Sequence, residues 1–311
     1  MKALVFTAPG AVEMRDVPEP EIAESDVLVH VRSAGICGSE LHGVRHPGFR
    51  VPPLIMGHEF AGVSDDGDRL VVNPILSCGR CDLCQRGLRH VCRERRLVGV
   101  HRSGGFAERV AVPAAALRPL PDRLTFDAAA MVEPAANAVH AWNLAGRPAG
   151  ARVAVLGCGA IGLLCLLTAL AGGAERTDVT DLSPERLAVA SGLGAASAGR
   201  GLEGEYDVVI DAVGTPATRA QSVQHQRPGG VAVWLGLAEQ EAGFDARDLT
   251  RGEKRVLGSF GYSDAEFSDA VSLVADCDLS WTSNYPLACA ADVFTDLMNG
   301  GLHPVKALLQ P

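Results

Sequence analysis

The spacing of apolar residues changes near the middle of the chain. In residues 1 to about 120, short runs rich in β-branched residues alternate with turns, as in 27–32 (VLVHVR) and 70–74 (LVVNP). Runs of this kind predict a β-rich half with inserted loops. The opening residues, 1–10, predict a strand that ends in a Pro-Gly turn.

From about 142 to 261, short apolar runs alternate with helical stretches, which predicts βαβ units and a parallel sheet. A run rich in Gly and Pro at 146–150 marks the entry, so we place a boundary near Ala141. The stretch 192–204, rich in Ala and Gly, is interpreted as a short connection. The predicted strands of this half are 152–157, 177–181, 207–211, 230–236 and 255–260.

The residues after Tyr262 are too few to form a domain of their own. They predict one helix, 265–275, and a short apolar end, 305–309. We expect this tail to return and pack on the first half, so that the second half is inserted near the end of the chain.

Composition and charge restrict the functional classes. A chain of 311 residues with 47% hydrophobic residues can bury two cores of ordinary size. The net charge is −9, from 28 basic and 37 acidic residues, and there is no basic run. This balance argues against nucleic acid and against an anionic membrane surface as partners.

The chain is expected to be cytoplasmic, because the apolar stretch in residues 1–10 is too short for a signal peptide. Residues 153–174 are apolar enough to resemble a membrane span. Their strand-like opening and their three glycines instead favour a buried strand, turn and helix. The nine cysteines are an odd number with four close together, which favours reduced thiols and metal over a disulfide framework.

Four cysteines have the spacing of a closed zinc site. Cys78, Cys81, Cys84 and Cys92 follow the pattern C-x2-C-x2-C-x7-C. Redox chemistry by the C-x-x-C pairs is the alternative, but four thiols in register favour a metal. Because four thiolates fill a tetrahedral zinc, this site would hold together a lobe at about 77–93 and would be structural.

A second set of metal-ligand side chains is spread over the first half of the chain. Its members are Cys37, His58, Glu59 and Glu133. Taken singly, Cys37 is explained as a small buried hydrophobe, His58 as a loop residue and Glu133 as a carboxylate at a helix N-terminus. Together they supply sulfur, nitrogen and oxygen, the mixed set of a zinc that keeps one position open for a reactant.

A glycine-rich loop follows the first apolar run of the second half. Residues 155–162 contain G-x-G-x-x-G, in which Gly157 permits a tight turn, Gly159 lets the backbone approach a pyrophosphate and Gly162 lets helix and strand pack closely. The predicted dinucleotide site consists of Gly157, Gly159, Ala160, Ile161, Gly162, Asp181, Arg186, Val213 and Gly236.

Asp181 ends the next predicted strand, about 20 residues further on, where a carboxylate binds the adenosine ribose. A carboxylate would repel a 2′-phosphate, so this residue favours NAD over NADP. The alternative role, an N-cap for the helix that follows, is better filled by Ser183.

These motifs resemble the medium-chain, zinc-dependent alcohol dehydrogenase family, particularly its polyol and threonine dehydrogenase branch. The matching segments cover most of the chain in the family's order and are 35–42, 57–62, the four-cysteine lobe, 132–134, 157–162 and Asp181.

The resemblance implies an α/β plus β fold. A GroES-like β-rich catalytic domain, 1–141, would be followed by a Rossmann domain with a doubly wound parallel sheet, 142–261, inserted before a C-terminal return, 262–311. The family places its active site in the cleft between the two domains and implies a homodimer or homotetramer.

The resemblance also assigns roles in the active site. Cys37 and His58 would be catalytic zinc ligands. Glu59 and Glu133 would each be either the third ligand or a residue in contact with the ligands. Members of this branch differ in which of the two glutamates touches the metal, so both stay open. Ser39 and His42 resemble the family's proton relay, from the reacting oxygen through a hydroxyl to an imidazole open to solvent.

Three features depart from the family pattern. The hairpin at 63–69 is shorter than usual, and the stretch 194–206 is too short for the usual crossover helix. The aspartate that commonly follows the Cys-Gly-Ser/Thr unit is Glu40 here, a longer carboxylate. Neither shortening removes a predicted ligand or cofactor glycine.

We therefore predict an NAD-dependent zinc dehydrogenase with two zinc ions per chain, one catalytic and one structural. It would act on a secondary alcohol of a small polar molecule, such as a polyol, sugar, cyclitol or amino alcohol, or on the matching ketone. The alternative is a zinc-stabilised protein that binds NAD(H) as a sensor without turnover. Metal-free quinone reductase relatives are disfavoured, because they lack both ligand sets.

The specificity pocket is the least defined part of the prediction. Candidate lining residues are Arg45, His46, Phe49 and Trp142. Packing at the surface is the alternative role for such side chains.

Overall fold

The computed structural model describes residues 1–46, 48 and 50–311. The strands are β1 (Lys2–Ala8), β2 (Ala11–Asp16), β3 (Asp26–Gly35), β4 (Leu54–Ile55), β5 (Glu59–Ser64), β6 (Arg69–Val72), β7 (Ile75–Leu76), β8 (Arg96–Leu97), β9 (Arg109–Pro113), β10 (Leu117–Pro119), β11 (Arg152–Leu156), β12 (Arg176–Thr180), β13 (Ser197–Gly199), β14 (Tyr206–Asp211), β15 (Gln226–Trp234), β16 (Arg255–Gly258), β17 (Thr282–Pro286) and β18 (Lys306–Gln310). The α-helices are α1 (Gly38–Arg45), α2 (Asp82–Gln85), α3 (Phe126–Ala130), α4 (Val132–Leu144), α5 (Ala160–Ala171), α6 (Pro184–Gly192), α7 (Pro216–Gln224), α8 (Ala246–Arg251), α9 (Asp264–Ala275) and α10 (Ala290–Asn299).

The chain folds into two compact units. The first comprises Met1–Glu133 together with Ser263–Pro311, and the second comprises Pro134–Tyr262. The chain passes from the first unit to the second within α4, whereas the sequence placed the boundary at Ala141, near the end of the same helix. No glycine interrupts the Ala-rich sequence of α4, and its one proline lies in the first turn, where a helix tolerates it.

A seven-stranded sheet organises the first unit. Its order is β10-β6-β5-β3-β18-β17, and β9 also pairs with β3. Along β3, Val29 and Val31 lie on one face and are buried, as the two-residue period of a strand requires. Phe60, Phe106 and Phe294 complete the same core.

The tail after Tyr262 contains more structure than the sequence analysis predicted. The predicted helix corresponds to α9, but β17 and α10 were missed, so the prediction of a single helix is wrong. The apolar face of α10, formed by Ala290, Val293, Phe294 and Met298, has helical spacing and is buried in the first unit's core.

The second unit is built on a six-stranded parallel sheet in the order β13-β12-β11-β14-β15-β16. The strand order reverses between β11 and β14, which are neighbours, so the sheet is doubly wound. The five predicted strands correspond to β11, β12, β14, β15 and β16.

The sixth strand, β13, lies within the stretch interpreted as a connection, so that interpretation is wrong for Ser197–Gly199. These three small residues pair with Asp178–Thr180 of β12. Their side chains carry little apolar signal. Residues 200–205, which lead to β14, contain no helix, in agreement with the shortened crossover.

The apolar stretch 153–174 forms β11 and α5, as predicted. Leu163, Leu164 and Leu166 of α5 are buried within the second unit. Over the residues that the structure describes, no helix combines the length and the apolar character needed to span a bilayer.

Candidate active site

Cys37 lies at the N-cap of α1, directly after the central strand β3. Its backbone N–H donates to Oε2 of Glu40 (3.0 Å), and its Sγ accepts a hydrogen bond from the backbone N–H of Ser39 (3.5 Å). This is a capping box in which a cysteine takes the place of the usual serine or threonine. The sulfur therefore lies at the N-terminal end of α1.

The Glu40 carboxylate also orients His58. Glu40 is fully buried, and its Oε1 accepts hydrogen bonds from the backbone N–H of Gly57 (3.0 Å) and from Nδ1 of His58 (2.8 Å). With Nδ1 donating, the lone pair of Nε2 is available to a metal. The longer carboxylate at this position therefore supports both Cys37 and His58 without displacing the loop between them.

The electrostatics of this pair show how strongly the two side chains interact. Burial would raise the pKa of Glu40, but His58 and Arg50 hold it below its ordinary value. Burial would also lower the pKa of His58, but Glu40 and Cys37 raise it well above its ordinary value. A metal that binds His58 has to compete with a proton for the imidazole.

Three ligand-type side chains converge beside Glu40. The ligand atoms of Cys37, His58 and Glu59 all lie within 4.8 Å of one another. This sulfur, nitrogen and oxygen set suits zinc with one open position. Glu133 is not part of the group and lies half-buried in the first turn of α4.

A buried lysine that the sequence analysis missed contacts Glu59. Nζ of Lys306, on β18, forms an ion pair with Oε2 of Glu59, and both side chains are inaccessible to solvent. Burial would lower the pKa of Lys306, but Glu59 and Cys37 raise it above its ordinary value. Gly35 is required beside this pair, because a Cβ there would collide with the Glu59 carboxylate and would lie 2.8 Å from Cε of Lys306.

The predicted relay residues lie on α1. Ser39 and His42 are both exposed on the first unit, and the His42 ring lies 4.6 Å from that of His46. The Ser39 hydroxyl accepts a hydrogen bond from Arg50 (3.3 Å). Sequence reasoning did not identify Arg50.

Three of the residues proposed for the specificity pocket lie in the part of the chain that the structure describes. Arg45 and His46 are exposed at the end of α1. Trp142 is buried against Gly172 of the second unit, which indicates a packing role. Phe49 lies outside the described residues.

The four cysteines of the lobe are arranged as a tetrahedral metal site requires. Their Sγ atoms are separated by 3.5 Å (Cys78–Cys92), 3.8 Å (Cys81–Cys92) and 3.9 Å (Cys78–Cys84). A zinc ion with Zn–S bonds of about 2.3 Å requires sulfur separations of roughly 3.8 Å. Backbone N–H groups of Cys84 and Arg93 lower the pKa of Cys81 to about 6, whereas burial raises the pKa of Cys84 to about 11.

The glycine-rich loop lies at the carboxyl end of β11, where doubly wound sheets bind ligands. A Cβ at Gly162 would collide with the carbonyl of Gly157, and a Cβ at Gly157, which has φ +94°, would lie 2.5 Å from Cγ2 of Val213. By contrast, a Cβ at Gly159 would meet no atom within 4 Å. The space before the N-terminus of α5 is therefore open, and it fits a pyrophosphate.

Asp181 supports this loop from the end of β12. Its two carboxylate oxygens accept hydrogen bonds from the backbone N–H groups of Cys158 (2.7 Å) and Ser183 (2.8 Å). Ser183 is the N-cap of α6 and accepts from the N–H of Arg186 (3.3 Å), as predicted from the sequence. Asp181 is half-buried, so a ribose hydroxyl can still reach its remaining lone pairs.

The loops after β14 and β15 meet beside the glycine-rich loop. A Cβ on Gly214 would collide with Gly236, and a Cβ on Gly236 would collide with Val213. Val213 and Gly236, which the sequence placed in the cofactor site, therefore lie at the same edge of the sheet as Gly157.

Two family models match the chain. Residues 23–122 match the alcohol dehydrogenase GroES-like domain, and residues 160–276 match the zinc-binding dehydrogenase domain. The chain is 34% identical over 305 residues to L-threonine 3-dehydrogenase of Streptomyces avermitilis, with 89% of each chain covered. It is 31% identical to L-galactonate-5-dehydrogenase of Escherichia coli, with 96% of each chain covered.

Solved structures have the same fold. Galactitol-1-phosphate dehydrogenase of Escherichia coli superposes with a TM-score of 0.93 at 27% identity, over all of both chains. A protein of Sinorhizobium meliloti 1021, described as a zinc-binding dehydrogenase and solved bound to NADP, gives a TM-score of 0.94 at 32% identity, over 100% of this chain and 99% of that one. These matches confirm the predicted fold class of a GroES-like part with a Rossmann part.

Replacing Cys92 with Ser is expected to release metal from the lobe and to lower the free energy of unfolding by several kcal/mol, because a structural zinc contributes directly to folding. Metal content by mass spectrometry and chemical denaturation would measure both effects. Cys289→Ser, which changes an exposed free cysteine, is the matched control. Full metal content and an unchanged midpoint in Cys92→Ser would contradict the assignment.

Glu40→Gln is expected to lower zinc affinity at Cys37 and His58 by about 10- to 100-fold, because it weakens the group that orients the histidine. Competition with a chromogenic chelator would measure the affinity. Glu24→Gln, at an exposed position, is the control. An unchanged affinity would show that Glu40 serves only the helix cap.

Lys306→Met is expected to destabilise the metal-free protein by about 3–5 kcal/mol, because it leaves the buried Glu59 carboxylate without its cation. Lys306→Arg should retain most of the stability, and Lys2→Met, at an exposed ion pair, should change it little. Since the pKa of Lys306 is raised, this stabilisation is complete at neutral pH and is lost only in strong alkali. If Lys306→Met and Lys306→Arg lowered the free energy of unfolding equally, the positive charge of Lys306 would not be what stabilises Glu59.

Proposed function

Because the chain belongs to the zinc-dependent medium-chain alcohol dehydrogenase family, we propose that it transfers hydride between a secondary alcohol of a small polar molecule and NAD. The observation that carries this proposal is the convergence of Cys37, His58 and Glu59 within 4.8 Å. A zinc ion held by such a set supplies a Lewis acid that polarises an alcohol or carbonyl oxygen.

In this proposal the ligands are Cys37, His58 and Glu59, and Glu133 is left outside the first coordination sphere. The mutual distances of the first three support the choice. Lys306 balances the charge of Glu59, and Glu40 holds the imidazole of His58 in the tautomer that can bind metal.

Ser39 and His42 would move the proton. The Ser39 hydroxyl accepts the proton of the alcohol and passes its own outward. His42 then exchanges the proton with water. Their exposure on one helix supports this route.

The preference for NAD rests on Asp181. Its carboxylate lies beside the glycine-rich loop, held by Cys158 and Ser183, and would repel a 2′-phosphate. The Sinorhizobium meliloti protein was solved with NADP, so the two cofactors must be compared directly.

The proposed substrates are polyols, sugars, cyclitols or amino alcohols and the matching ketones. The names of the relatives, which act on L-threonine, L-galactonate and galactitol-1-phosphate, support this class. We further propose that each chain binds two zinc ions. The first unit would form the catalytic domain and the second unit the NAD-binding domain. The assembly would be a homodimer or homotetramer.

The decisive experiment measures turnover of the zinc-loaded protein with a panel of polyols, amino alcohols and their ketones, using NAD and NADP separately. We expect turnover with NAD, and we expect Ser39→Ala to lower kcat by about 10²- to 10⁴-fold. His58→Ala should abolish turnover, whereas the control His303→Ala, at an exposed position, should not.

Tight NAD binding without turnover of any compound in the panel would favour a sensor. Turnover with NADP in preference to NAD would contradict the role of Asp181 but not the other parts of the proposal. Retention of activity in His58→Ala would contradict the proposed zinc site.

A further inference from the structure

Arg50 is a buried cation placed directly beneath the exposed Ser39. Its side chain is only 3% exposed. Nη1 donates to the backbone carbonyl of Ser39 (2.8 Å), and Nη2 donates to the Ser39 hydroxyl (3.3 Å). One guanidinium thus holds both the backbone and the side chain of the same residue.

The helix is shaped to admit this guanidinium. Arg50 lies across α1 at Gly43, one turn after Ser39, and a Cβ at Gly43 would lie 2.5 Å from Nη1 and 3.3 Å from Cδ. A glycine within a helix costs about 1 kcal/mol relative to alanine. Burying a guanidinium is also unfavourable unless its donors are satisfied. Packing alone does not explain this arrangement, because a buried apolar side chain would fill the space at less cost.

The geometry restricts what the Ser39 hydroxyl can do. A serine hydroxyl has two acceptor lone pairs and one hydrogen. Arg50, which has donors only, uses one lone pair, so the hydroxyl retains one lone pair and one proton to donate. The hydroxyl can therefore accept one further hydrogen bond, from the reacting alcohol, and can donate its own hydrogen to a different group. Proton transfer in one direction requires this arrangement.

We propose that Arg50 is a positioning residue that holds the Ser39 hydroxyl in the orientation needed to take the proton of the reacting alcohol. The inference rests on the proposed function. Arg50 acts through Ser39 and does not itself exchange a proton. In the direction of oxidation, the O–H bond of the alcohol breaks, its proton goes to Ser39 and the proton of Ser39 goes outward. The C–H bond of the carbon that bears this oxygen breaks, its electron pair leaves with the hydrogen as hydride to the oxidised nicotinamide cofactor, and a C=O bond forms.

A double-mutant cycle tests this proposal. The variants are Arg50→Gln, Ser39→Ala and the double variant, with Arg32→Gln, at an exposed position, as the control. Ser39→Ala removes the hydroxyl but retains the carbonyl that Nη1 contacts. Any purely structural contribution of Arg50 therefore persists in the Ser39→Ala background, whereas its effect on the hydroxyl does not.

We expect Arg50→Gln to lower kcat by about tenfold or more in the wild-type background, with little change in KM, and by less than about twofold in the Ser39→Ala background. Any change in zinc content or in the unfolding midpoint that Arg50→Gln causes should be the same with and without the Ser39 hydroxyl. Millimolar ethylguanidine should restore part of the activity of Arg50→Gln, but none to the double variant. If Arg50→Gln does not fold, Arg50→Lys in the same cycle decides, because lysine retains the charge but cannot make both contacts.

An equal loss of kcat in both backgrounds, or a loss that follows zinc content, would overturn the inference and leave the proposed function intact. A wild-type protein that turns over no alcohol or ketone of the panel would overturn the proposed function, and the catalytic role of Arg50 with it. The two failures are therefore distinguishable from the wild-type rate alone.

Discussion

A single buried carboxylate determines the geometry of the candidate active site. Glu40 accepts hydrogen bonds from the backbone of Cys37, from the backbone of Gly57 and from the ring of His58. A fully buried carboxylate is tolerated only when such donors satisfy it. The N-terminus of α1 and the turn before β5 are therefore tied to the same group, and the thiol and the imidazole are brought together by the protein itself.

The charges around this group are arranged in compensating pairs. Glu40 faces His58 and lies within the field of Arg50, while Glu59 pairs with Lys306. The two carboxylates and the two permanent cations cancel. A divalent ion bound in the proposed site would therefore keep much of its positive charge, and that charge would favour a reactant oxygen whose negative charge increases during reaction.

The sequence alone predicted those parts of the molecule whose local residue pattern is also the pattern that their function requires. Five strands of the second unit and the glycine-rich loop were predicted from the sequence, because their apolar runs and glycines have a characteristic spacing. β13 could not be predicted, because its three small residues have no apolar periodicity. α10 was overlooked, although its apolar residues have helical spacing. Lys306 and Arg50 could not be placed from the sequence, because their partners lie 247 and 11 residues away and only folding brings them together. A lysine that opens an apolar strand is the one signal that was present for Lys306.

The long separation between Glu59 and Lys306 has a consequence for biosynthesis. During translation, Glu59 leaves the ribosome 247 residues before the lysine that neutralises it. The central strand β3 likewise lacks its neighbour β18 until that late segment emerges. The Rossmann unit is complete by then, since all its strands lie between them. The nascent chain thus carries a complete second unit while the first unit still lacks β18 and Lys306.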